Sequence, residues 1–137
     1  MIVQDRHSAA ELLDATLPFI ADGDAVLDLG CAFAIQAQHF PRTPVATSVY
    51  DVVTVLNLLH LPGIEPLGLL RIARNALKTG GRLVVSGPSH RGPVDPDGYY
   101  CSVEGMEALL RHLGFSRTLA ARPDLNGGKS YFVAAQK

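Results

Sequence analysis

The 137-residue chain has no tryptophan, only two cysteines and only two methionines. Two cysteines, Cys31 and Cys101, exclude a disulfide-stapled scaffold, and their spacing matches no metal-ligand pattern. A reduced, cytoplasmic setting without a metal is therefore expected. Neither sign of charge dominates: 12 Lys and Arg face 13 Asp and Glu, and no basic stripe occurs, so the electrostatic footprint of a nucleic-acid binder is missing. No apolar run approaches about 18 residues, so no membrane-spanning helix is expected. The first residues lack the basic-then-apolar pattern of a signal peptide. Repeats and low-complexity tracts are absent. There is no G-x-S-x-G elbow for a hydrolytic serine, and no Gly-Lys-Ser/Thr follows Gly80-Gly81 to make a phosphate loop. What remains is a chain of average hydrophobic content, 47%, whose length suits one domain over residues 1–137.

Its centre is Ala25-Val26-Leu27-Asp28-Leu29-Gly30-Cys31-Ala32-Phe33-Ala34. Residues 25–29 form a short apolar run that predicts a buried strand with Asp28 near its carboxyl end. Gly30 follows, and residues 35–40 look helical. A strand that ends in an acid and a glycine and then opens a helix is a ligand-binding turn in open α/β sheets. Glycine lets a ligand approach the backbone, and the helix start offers unpaired N–H groups.

Before this turn, Ala9, Leu12, Leu13, Thr16, Leu17 and Ile20 share one face of a predicted helix over residues 8–20, with Ser8 as N-cap and Glu11 completing a capping box. After it, residues 45–49 are short and β-prone. The Val-rich first half of residues 51–60 reads as a buried parallel strand. Pro66 opens a helix that runs to about Leu77, with Leu70, Ala73 and Leu77 on one face and Arg71, Arg74 and Lys78 outward. Residues 78–81 stop it, with glycine as the left-handed cap. Residues 82–86 form another strand. Ser102 caps a helix carrying Met106, Leu109, Leu110 and Leu113, which Gly114 closes. Residues 115–120 and 131–135 read as strands joined through Asn126-Gly127-Gly128.

Several of these phrases resemble class I S-adenosylmethionine-dependent methyltransferases. Val26-Leu27-Asp28-Leu29-Gly30-Cys31 is similar to the family's first motif, acid-x-Gly-x-Gly-x-Gly, in a weakened form with Ala32 and Ala34 at the second and third glycines. Tyr50-Asp51-Val52-Val53, with Leu59-His60 further on, resembles the fourth motif. The stretch from Ala76 to Val85, a helix ending in Gly-Gly and entering an apolar strand, is the part most like the family. The ending Leu109-Leu110-x-x-x-Gly114-Phe115 followed by a last strand also resembles it. The loop from Pro93 through Asp95, Tyr99 and Ser102 to Gly105 resembles one in some small-molecule and sugar methyltransferases.

The resemblance implies a three-layer, Rossmann-like α/β sheet, mostly parallel with an antiparallel C-terminal strand. It implies S-adenosylmethionine as cofactor, contacted by Asp28, Gly30, Cys31, Ala32, Asn57 and Leu58. It implies a small-molecule acceptor near His60, a candidate base where the acceptor must lose a proton. His90, Arg91 and Tyr99 would belong to a substrate loop. The bland alternatives stay open: a strand-end acid that caps a helix, a loop histidine and a solvated loop. Cys31 reads more readily as a small packing residue than as a nucleophile.

The fold must also be shortened. Only 21 positions separate Gly30 from Asp51, whereas one βαβ unit takes roughly 30 residues. The family's second and third strand–helix units, which hold the cofactor's ribose and adenine, do not both fit. Residues 45–49 must either extend the next strand or form an edge segment. The first strand then lies at a sheet edge, which predicts a homodimer or a covering segment there. Two further readings stand beside an active methyltransferase. One is a non-catalytic relative that uses this edge for dimerisation or partner binding; the other is a Rossmann-like binder of another nucleotide.

Overall fold

The computed structural model describes residues 6–29, 45–61, 63–89 and 101–137. Five strands form one sheet in the order β1-β2-β3-β5-β4, with β1 at Val26–Asp28, β2 at Tyr50–Leu56, β3 at Leu77–Pro88, β4 at Arg117–Asp124 and β5 at Ser130–Gln136. β1, β2 and β3 pair in parallel, while β5 runs antiparallel to both β3 and β4. One reversed strand near the C-terminus of an otherwise parallel sheet is the expected topology.

Helices cover both faces. On one lie α2 (Pro66–Ala76) and α3 (Val103–His112). Leu69, Leu70, Ala73 and Ala76 of α2, with Val103, Met106 and Leu110 of α3, pack on Val53, Val55, Leu83, Val85, Tyr131 and Val133. On the other face, α1 (Arg6–Thr16) sets Ala15 and Leu12 over Val84, Phe132 and Ala134. The alternation of Val84 and Val85 between the two clusters is the two-residue strand period read in packing. Since both faces are covered, β2 is buried throughout its middle: Val52, Val53 and Val55 are fully buried, and Thr54 among them is nearly so.

The caps follow local chemistry. The Ser102 hydroxyl accepts from the Gly105 N–H at 3.0 Å, and Gly114 takes φ +99 beyond the end of α3. The Glu65 carboxylate caps α2 through the Gly68 N–H. Asn126 and Gly127, at φ 52 and 65, reverse the chain between β4 and β5. The helix expected from Ser8 already includes Arg6, so Ser8 is not its cap. The Glu11 carboxylate accepts instead from the Asn126 N–H at 3.3 Å.

Three expectations are corrected. The first strand was expected to be buried over residues 25–29, but it spans three residues and Val26 is 40% exposed. Among the described residues it lies at the sheet edge, with a strand on one side only. Residues 45–49 neither extend β2 nor form an edge strand. Ser48 adopts φ 56, and the Ser48 and Val49 N–H groups donate to the Asn75 and Ala76 carbonyls at the end of α2. Finally, Gly80-Gly81 does not cap α2. The helix ends at Ala76 with an extended Leu77, where β3 begins. The glycines sit in a bulge: β2 advances from Tyr50 to Val52 while β3 advances from Leu77 to Arg82. A Cβ on Gly81 would lie 2.9 Å from the Lys78 carbonyl oxygen and 3.2 Å from that of Asp51, so this position needs glycine for space.

No helix among the described residues is long and apolar enough to cross a membrane.

Candidate functional site

Two side chains fix where β1 begins. The Asp51 carboxylate accepts from the Ala25 N–H at 2.9 Å, while the Asp51 N–H donates to the Ala25 carbonyl at 2.8 Å. This double link clamps the start of β1 to β2. The Ala25 N–H, helped by Lys78 at 3.4 Å, holds the Asp51 carboxyl below its ordinary value of 3.8. Arg82 of β3 ties down the connection from α1. Its Nε donates to the Phe19 carbonyl at 2.8 Å, and its guanidinium pairs with Asp24. The sequence alone gives Asp51 and Arg82 no such role; a charged residue before each of two apolar runs is the only signal.

From that clamp the register is set: Val26 lies opposite Val52, Leu27 opposite Val53, and Asp28 opposite Thr54. The carboxyl ends of β1 and β2 therefore share one edge of the sheet, where ligands of open parallel sheets bind. Asp28 is exposed there. β2 continues to Leu56, and Asn57 lies roughly 10 Å beyond the level of Asp28 at the usual rise per residue.

Asn57 makes the turn. It adopts φ 53, a left-handed conformation that asparagine tolerates better than most residues. Its N–H still donates to the Ser86 carbonyl at 3.0 Å, so the turn stays stitched to β3. Leu58 and Leu59 then drop into the core at 2% exposure each. Leu58 is thus a core anchor, buried backbone and all. The Leu61 N–H closes the turn on the Leu58 carbonyl at 3.1 Å.

His60 sits in this turn, half-buried. Its Nδ1 is sealed from solvent and has no hydrogen-bond partner among the described residues. Burial pushes its pKa below the ordinary 6.5, so the ring is neutral at pH 7. Ser86, opposite Leu56 on β3, also carries a buried hydroxyl without a partner among the described residues; nothing in the sequence singled it out.

The fold thus brings Asp28, Asn57, Leu58 and His60 to one edge of the sheet. Gly30, Cys31 and Ala32 of the expected turn, and His90, Arg91 and Tyr99 of the expected substrate loop, lie outside the described residues.

Solved structures share this architecture. An S-adenosylmethionine-dependent methyltransferase from Thermotoga maritima superposes with a TM-score of 0.70 at 15% identity, covering 96% of this chain and 90% of that one. One from Mesorhizobium loti gives 0.63 at 15% identity, covering 93% and 98%. The cyclase SpnF gives 0.66 at 15% identity, covering 94% and 81%. No protein-family model matches the chain, and no curated protein does. The chain therefore has the class I S-adenosylmethionine-dependent methyltransferase fold. That a cyclase shares it means the reaction has to be argued from the site.

Proposed function

We propose that this protein is an S-adenosylmethionine-dependent methyltransferase acting on a small molecule. The observation that carries the proposal is the sheet order β1-β2-β3-β5-β4 with Asp28 and Asn57 at adjacent parallel strand ends. The donor set fits the amino-acid end of S-adenosylmethionine. A strand-end carboxylate, Asp28, complements its ammonium, while the Asn57 carboxamide offers both donors and an acceptor. When bound, S-adenosylmethionine supplies an electrophilic methyl group. The chain's own task is then to hold and align two reactants and keep water out, and such positioning supplies much of the rate in a displacement. The Asp51 clamp and the Asn57 turn serve that task by fixing both strand ends on a rigid sheet. His60 is the titratable side chain supplied by the same turn.

The test is S-adenosylhomocysteine release from S-adenosylmethionine, measured against panels of small carboxylates, phenols and amines. Release that depends on one class supports the reading. No release above the protein-free rate with any class overturns it.

A second reading is favoured by one observation: among the described residues no strand pairs with the outer side of β1, and Val26 is exposed there. β4, at the opposite edge, carries Arg117, Arg122 and Pro123 and an irregular register, all of which discourage pairing. In this reading β1 joins two copies of the chain. Sedimentation would show a dimer that Val26→Lys dissociates; a monomeric wild type would refute it.

A further inference from the structure

His60 is half-buried, and its two ring nitrogens differ in burial. Nδ1 is buried without a partner among the described residues. Nε2 is not among the buried, unpartnered atoms. A neutral imidazole carries its proton on one nitrogen and a lone pair on the other. Burying an N–H with no acceptor is rarer and costlier than burying an unused lone pair. The sealed Nδ1 therefore keeps the lone pair, and the proton resides on Nε2. For Nε2 to act as a base, Nδ1 would have to hold a proton where no described residue offers it an acceptor. Protonating both nitrogens would place a charge there as well, and burial already opposes that.

We infer that His60 presents Nε2–H as a hydrogen-bond donor at the carboxyl end of β2, so that the ligand group it meets is an oxygen acceptor, a carboxylate or carbonyl. It is a positioning residue rather than the base that the sequence suggested. This rests on the proposed ligand site at that edge, and it deepens that reading: an acceptor that must lose a proton would lose it elsewhere.

Long-range proton–nitrogen NMR on the uniformly ¹⁵N-labelled full chain tests the tautomer without cofactor or turnover. The His60 ring is assigned by its loss in His60→Gln or, should that variant not fold, by backbone connectivity. The expected spectrum at pH 7.5 shows Nδ1 with the unprotonated shift and Nε2 with the protonated one. Adding benzoate moves the Nε2 signal, and adding benzylammonium does not. A proton on Nδ1, a ring already charged at pH 7.5, or a response to benzylammonium but not to benzoate overturns the inference. Failure of the methyltransferase reading would show differently, as absent S-adenosylhomocysteine release with the tautomer intact.

Discussion

Gly81→Ala tests the geometry that aligns the site. The bulge at residues 78–81 lets β3 leave α2 and still meet β2 in the register that places Leu56 opposite Ser86. A shift of one residue would send every side chain of β3 to the other face. The added methyl would meet two backbone oxygens, at 2.9 and 3.2 Å, and Leu77 Cδ2 at 3.0 Å. Reaching ordinary contact takes about half an ångström of backbone movement. Overpacking of this kind costs about 1–3 kcal/mol, and the lost freedom of the unfolded chain offsets about 0.4–1 kcal/mol. A net loss of about 1–2 kcal/mol should lower Tm by roughly 3–8 °C for a chain of this length. Thermal unfolding followed by far-UV circular dichroism should show this loss for Gly81→Ala. Equal stability of Gly81→Ala and wild type would refute the reasoning.

Two further outcomes follow from the packing and the clamp. Met106→Ala, at a fully buried position of α3, should cost about 3 kcal/mol in urea unfolding; a cost below about 1 kcal/mol would mean that α3 is not packed as described. Asp51 has a lowered pKa in the folded chain, so its stabilising contribution is complete above the unfolded value and is lost as pH falls through the folded one. Asp51→Asn should therefore flatten the acid limb of the stability–pH curve below about pH 4, and an unchanged limb would show that the Ala25 link contributes nothing.

Much of this architecture was legible in the sequence. The valines of β2 and the Ser102 and Gly114 ends of α3 announce themselves because one local interaction decides each. The same holds for the Asn126-Gly127 reversal. The edge position that β1 takes among the described strands agrees with the count of residues between Gly30 and Asp51. Gly80-Gly81 was misread because its role depends on a partner strand: a glycine pair after a helix looks like a cap until the approach of the Asp51 carbonyl is known. Residues 45–49 were misread for a similar reason, since their N–H groups satisfy the end of a helix that comes later in the chain. The state of His60 could not be read at all, because burial of one ring nitrogen is a tertiary property.

The most direct measurement is calorimetric titration of the full chain with S-adenosylhomocysteine. The account predicts saturable binding with Kd of roughly 1–100 μM, weakened at least tenfold in Asp28→Asn while the Tm stays near that of wild type. An absence of binding with ligand at about 1 mM, from a protein that is folded by circular dichroism, would contradict it.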